Sequence, residues 1–360
     1  MEKTKKKRNV VRALSLIGLF SAISLSAITG VVGAMAEIQI IDLPTKDFSA
    51  QSGGYTFDCF ILSDHDTDAT QRTISVAWGQ DPETAINSEL NIPDTFTNSA
   101  TNRSYKVVAI ANAGFRYCTF PSISIPATVT SIGSEAFAYC MNLTEITIPY
   151  HVNEIKPSTF LDCRSLTSVY YANEGSRTSK AVFNYNIATI GNHAFDSCVS
   201  LTAFNCPRSA TYFGESCFQN CTSFTSFSFP RERKQGQNVL NYITVRPFAF
   251  ADCTNLSRLY FETNMQYIHN YAFTDCADDL TIDYTGASLA AFDNFAPNWR
   301  RRYIATSRNN SSSIDGPDGH LIKVNLSQTA IREDDRYPGL HYQIVTSGAA
   351  VRLDVNTGNS

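Results

Sequence analysis

The motif Phe-x-x-Cys occurs seven times between residues 115 and 276, as FRYC, FAYC, FLDC, FDSC, FQNC, FADC and FTDC. The cysteines of the set are Cys118, Cys140, Cys163, Cys198, Cys221, Cys253 and Cys276, separated by 22, 23, 35, 23, 32 and 23 residues. Four intervals share a period of 22–23, and the other two are that period enlarged by 12 and by 9. Such a period constrains the fold more tightly than any composition does. A unit this short cannot bury its own apolar face, so neighbouring units must stack to close a core.

The flanking columns agree with the period. The aromatic column is Phe115, Phe137, Phe160, Phe195, Phe218, Phe250 and Phe273, usually preceded by a small residue such as Gly114, Ala136 or Ala194. An apolar residue follows three after Cys (Leu143, Leu166, Leu201, Phe224, Leu256), and another lies upstream of each Phe (Ile110, Ile132, Ile155, Ile190, Phe213, Val245, Ile268). Positions six and eight after Cys carry pairs such as Ile146/Ile148, Val169/Tyr171 and Leu259/Phe261. That alternation predicts a short strand with one buried face. The apolar spacing in AFxxCxxL is that of about one helical turn, which predicts a short helical turn opposite the strand.

Residues 130–152, TSIGSEAFAYCMNLTEITIPYHV, come close to the pattern TxIGxxAFxxCxxLxxIxIPxxV. The chain therefore resembles the BspA-like, treponemal-type leucine-rich repeat family over about residues 90–284. The resemblance implies an α/β repeat solenoid of about seven units, with a parallel β-sheet on one face, short helical turns on the other, and capped ends. Residues 37–89, which contain YTFDCFIL and RTISVAW, are expected to form an N-terminal β cap. Residues 285–306 are expected to cap the other end, 307–319 to form a polar linker, and 320–360 a small β-rich appendage.

The cysteine ladder is assigned to structure. Like positions in successive coils point the same way, and this column faces inward, where cysteine acts as a small apolar residue. Cys206 and Cys217 also replace core positions; Cys59 lies on the expected cap. Mostly reduced, buried thiols are expected, although stacked coils would bring like residues within disulfide reach. No cysteine has a context that marks it as a nucleophile, and His193 and His269 sit in a column that varies between units. Cys217 and Cys221 have a zinc-like spacing, but the repeat explains both. No catalytic residue, metal ligand or cofactor site is assigned.

Residues 1–36 join a basic start, MEKTKKKRNVVR, to an apolar stretch over 13–36 ending in Ala34, Met35 and Ala36. This is the plan of a secretory signal, either cleaved or retained as an anchor. Either way the body of the protein is expected outside the cytoplasm, with residues 13–36 its expected membrane contact. Without this segment the chain carries 23 Lys and Arg against 32 Asp and Glu, about −9. A negative chain has no counterion-release advantage on a phosphate backbone, so nucleic acid is not expected as a partner.

Three further features have ordinary readings. Asp64, Asp66 and Asp68 alternate as calcium ligands can, but Ala69 and Ser75 stand where an EF-hand needs Gly and Glu. RERKQGQ (231–237) and WRRRY (299–303) read as solvated basic loops. Outward strand positions five and seven after Cys are mostly small and hydroxylated, with Glu145, Tyr170, Arg258, Tyr260 and Asp283 standing out. A ladder of side chains on an extended sheet suits protein binding, and Tyr and Arg are typical anchors. These five are the ligand-face candidates.

The resemblance implies a surface-exposed, non-enzymatic adhesion or interaction protein whose partner is an extracellular or host-surface protein. The alternatives are a self-associating envelope protein, or a hydrolase with its site in residues 320–360.

Overall fold

In the computed structural model of the chain, the described residues are 45–284 apart from 83, 182–185, 231–241, 262–264, 270 and 278–279, together with four strands between 323 and 354. The expected leader at 1–36, the cap at 285–306, the linker at 307–319 and both basic loops lie outside them.

The chain starts with β1 (Phe48–Ser52), β2 (Tyr55–Ser63) and β3 (Thr73–Trp78), followed by β4 (Leu90–Asn91), β5 (Thr95–Asn98) and β6 (Arg103–Ile110). They form a sheet of order β1-β2-β3-β6-β5, while β4 stays out of it. The repeats then contribute strands in pairs. These are β7 (Ile123–Ser124) and β8 (Ser131–Ile132), β9 (Glu145–Ile148) and β10 (Glu154–Ile155), then β11 (Ser168–Tyr171) and β12 (Thr189–Ile190). A lone β13 (Tyr212–Phe213) precedes β14 (Ser226–Ser228) and β15 (Ile243–Val245), β16 (Arg258–Phe261) and β17 (Met265–Ile268), and β18 (Thr281–Tyr284). β19 (Lys323–Leu326), β20 (Ile331–Asp334), β21 (Tyr337–Gln343) and β22 (Val351–Asp354) follow.

Most coils thus bear two strands rather than the single one expected, and both types pair in parallel between coils. The upstream apolar column builds the sheet β10-β12-β13-β15-β17, with Ile155 beside Ile190, Ile190 beside Phe213, and Phe213 beside Val245. The alternating column builds β4–β7, β9–β11 and β14-β16-β18, the last continued by β19 and, antiparallel to it, β22. β4 joins this column and β6 pairs with β8, so the first sheet passes directly into the repeats. β19 in turn extends β18, with Val324 beside Ile282.

Between the strands the chain does not form the expected helical turn. Among the described residues the one helix is a single 3-10 turn at Ala69–Gln71. Two residues before and two after each ladder Phe, the backbone enters the left-handed region, as at Glu135 (φ 57°) and Tyr139 (φ 61°), or Ser158 (φ 55°) and Asp162 (φ 57°). A left-handed residue every fourth position cannot continue an α-helix. The result is a chain of tight turns, with Ala136, Ala138 and Cys140 N–H groups donating back to Gly133, Glu135 and Phe137. The alternate N–H groups cross to the next coil: Glu135, Phe137 and Tyr139 donate to the carbonyls of Pro157, Thr159 and Leu161. The turn face is therefore a third hydrogen-bonded ladder between coils, and its backbone groups are satisfied without a helix. Coils approach so closely here that a Cβ on Gly133 would lie 2.5 Å from the Asn112 nitrogen.

The core follows from the repeat. Phe115, Phe137, Phe160, Phe195, Phe218, Phe250 and Phe273 are buried and stacked face to face, with neighbouring ring centroids 5.1–5.8 Å apart. Burial of each ring contributes about 1.5–3 kcal/mol.

Candidate functional site

All ten cysteines are free thiols, and nine are buried; Cys206 is half-buried. The ladder thiols are hydrogen-bonded. Cys140, Cys163, Cys198, Cys221, Cys253 and Cys276 donate to the carbonyls of Phe115, Phe137, Phe160, Phe195, Phe218 and Phe250, each one coil earlier, at 3.1–3.2 Å. Burial pushes these six thiols well above the usual range, so they stay protonated and un-nucleophilic. Among the described residues no cluster of three or more His, Cys, Asp or Glu is arranged to hold a metal ion. The alternating acids near residue 66 are engaged within the chain. Asp64 accepts from Arg103 at 2.9 Å and from the Tyr105 hydroxyl at 3.0 Å. Asp66 accepts from Arg103 at 2.9 Å, and Asp68 caps the 3-10 turn through Thr70 N–H at 2.9 Å.

The outward strand positions hold the five ligand-face candidates. Parallel register sets Thr147 beside Tyr170 on β9 and β11, and Tyr260 beside Asp283 on β16 and β18. The five candidates fall into two groups, one on each of these sheets. In the first, Lys180 lies 2.6 and 2.7 Å from the Glu145 carboxylate oxygens and 4.8 Å from the Tyr170 ring centroid. Hydrogen bonding to Glu145 raises the Lys180 ammonium above the ordinary lysine range. In the second, Arg258 Nε donates to Asp283 at 2.6 Å, and its guanidinium stands 5.4 Å from the Tyr260 centroid. Asp283 is buried, so its carboxylate serves chiefly to hold Arg258, which is exposed. Each group combines a cation, a carboxylate and a tyrosine ring, the residue types that anchor protein interfaces.

The two groups belong to separate sheets because the ladder is broken between them. Leu201–Cys206, in the place of the next strand, forms no strand. The outer edge of β11 is taken instead by Ala181, which exchanges both backbone hydrogen bonds with Tyr171 at 3.0 and 2.7 Å. Sequence reasoning missed Lys180 and Arg177, which lie in the 12-residue enlargement and match no repeat column. Arg177 donates to Asp94 at 2.9 Å and to the Ile92 carbonyl at 3.0 Å, 85 residues away in the chain. It also missed the asparagines two after Cys as ties between coils. Asn142 and Asn255 donate to the carbonyls of Thr119 and Thr222 in the preceding coils, at 3.0 and 2.7 Å.

Comparison with known proteins agrees with this repeat. The model of the BspA type leucine rich repeat region matches residues 108–187 and 170–296, with six copies. No curated protein matches the chain. Among solved structures, a leucine-rich repeat protein from Bacteroides ovatus is 23% identical with a TM-score of 0.42, covering 63% of this chain. This chain in turn spans 64% of that protein. The Treponema pallidum leucine rich repeat protein is 21% identical with a TM-score of 0.40, covering 54% of this chain and 78% of its own. The pneumococcal vaccine antigen PcpA is 15% identical with a TM-score of 0.32, covering 66% of this chain and 73% of its own. Both enlarged intervals lie inside the matched residues, and the Phe and Cys ladders run through them with unchanged stacking. With the family model matched over more than half of its length, the chain belongs to the BspA type leucine-rich repeat family.

Proposed function

We propose that this chain is a non-enzymatic binding protein of the cell surface or extracellular space. It recognises a partner protein through the outward side chains of its alternating-column strands. The observation that carries this reading is the pair of cation, carboxylate and tyrosine groups, Glu145–Lys180–Tyr170 and Arg258–Asp283–Tyr260, on otherwise small, hydroxylated strands. Family membership supplies the scaffold but does not decide the function, which rests on the side chains it displays. The basic and apolar composition of residues 1–36 supports a location outside the cytoplasm.

The test is a binding screen of the purified chain against extracellular-matrix proteins and whole cells, beside a Tyr170→Ala/Tyr260→Ala variant. Saturable binding that weakens in the variant supports recognition through these strands. Binding that the variant leaves unchanged moves the site elsewhere on the chain. Self-association without any binding favours an envelope protein that assembles with itself.

A further inference from the structure

Residues 173–181, in the 12-residue enlargement after β11, turn back across the strands instead of projecting from them. Gly175 (φ 72°) permits the reversal, and Asn173 N–H donates to Ser179 Oγ at 2.6 Å. From this turn three contacts reach out. Arg177 reaches Asp94 and the Ile92 carbonyl just beyond β4. Lys180 sits between Glu145 on β9 and the Tyr170 ring on β11. Ala181 pairs antiparallel with Tyr171 at the open edge of β11. Residues 173–179 are a series of turns, and at its end Lys180 sits on an acid and an aromatic ring while the next residue, Ala181, pairs its backbone with a sheet edge, the two kinds of contact a strand-adding peptide ligand makes.

Resting on the protein-binding reading above, we propose that Glu145 and Tyr170 form a docking site for a Lys or Arg side chain of a partner loop. In the resting chain residues 173–181 fill this site in cis. The partner is thus a protein presenting an exposed loop with a basic residue beside a small one. The second group differs in kind: Arg258 comes from the strand itself and is held by a buried carboxylate, so no loop carries it away from its place. Lys180 comes from a loop, and its side chain and that of Glu145 are 45% and 38% exposed. Contacts so exposed are weak, which puts the strap among the segments that open most readily. A partner making the same contacts and others beside them shifts the strap from closed to open.

The experiment follows hydrogen exchange in the full chain and in its Lys180→Ala variant, with and without a synthetic peptide of residues 173–181 (NEGSRTSKA). In the variant, the amides of Tyr171 and Ala181 are expected to exchange roughly five- to ten-fold faster, with those of Phe137 and Phe160 unchanged. The added peptide then binds saturably and restores protection at Tyr171, whereas a peptide with alanine in place of its lysine does not. Binding to the unaltered chain is expected to be roughly ten-fold weaker, because the strap competes. Unchanged exchange in the variant, no restoration by the peptide, or equal restoration by the alanine peptide would each overturn the proposal. None of these readouts needs a natural ligand, so failure of the matrix and cell screen refutes the adhesion reading alone. A screened ligand that binds both chains equally and does not compete with the peptide overturns the strap's control of that ligand.

Discussion

The thiol of Cys163 donates to the carbonyl oxygen of Phe137, one coil earlier, at 3.1 Å. The same carbonyl accepts the backbone N–H of Cys140 at 3.2 Å, so both of its lone pairs are used. Repeated along the ladder, this contact explains why a thiol rather than a methyl group occupies the column. The side chain must be small, apolar in bulk and able to donate one hydrogen bond.

Chemical labelling tests this account. Nine cysteines are buried and Cys206 is half-buried, so a thiol reagent is expected to modify Cys206 alone at an appreciable rate in the native chain. All ten are expected to react in denaturant. Fewer than ten thiols in denaturant would reveal disulfides. Cys163→Ala, which removes one sulfur and one hydrogen bond, is expected to cost roughly 1–3 kcal/mol in urea unfolding.

Alkaline pH should unfold the protein cooperatively. Burial raises the six hydrogen-bonded ladder thiols, and lifts Cys59 to about 12. Unfolded thiols ionise near pH 8.5, roughly. Below that pH the contribution is fully present. Above it the unfolded chain sheds protons that the folded chain keeps, so stability falls as pH rises. The loss approaches about 1.4 kcal/mol per pH unit for each such thiol. Urea midpoints that stay flat from neutral pH to roughly pH 10 would contradict the burial of the ladder.

The aromatic ladder sets the largest mutational effects. Phe160 and Phe195 are fully buried, and each is stacked on both neighbours, so Phe160→Ala or Phe195→Ala is expected to cost roughly 3–5 kcal/mol. Unchanged cooperative melting of either variant would refute the register.

The turn face makes an opposite prediction. Ser158 has φ 55°, a conformation costing a non-glycine residue about 1–2 kcal/mol, while glycine loses about 0.5–1 kcal/mol in chain entropy. Ser158→Gly should therefore be neutral or stabilising by up to about 1 kcal/mol, and Ser158→Val destabilising. A thermal melt of the two variants, ranked in the reverse order, would exclude the left-handed turn.

The helical turn expected on the face opposite the strands is the instructive miss. Apolar residues three or four apart are common to one helical turn and to a chain of tight turns. What separates the two is the left-handed backbone at residues as unlike as Glu135, Tyr139, Ser158 and Asp162. Neighbouring coils impose it by taking up every second N–H group, as Phe137 gives its own to Thr159. The second parallel sheet was half legible: its apolar column stood out at Ile155, Ile190 and Phe213, but two-residue strands are too short to show alternation.

The repeat by itself determined the family, the register and the core. Each coil reuses the same inward positions, so Phe160 and Cys163 could be placed on Phe137 and Cys140 by counting residues. Only the tertiary structure decided what becomes of the residues between repeats. Lys180 reaches Glu145 across 35 positions and Arg177 reaches Ile92 across 85, and neither residue lies in any column. Such contacts arise from where the stacked coils bring the chain, and a periodic pattern carries no information about residues outside its period.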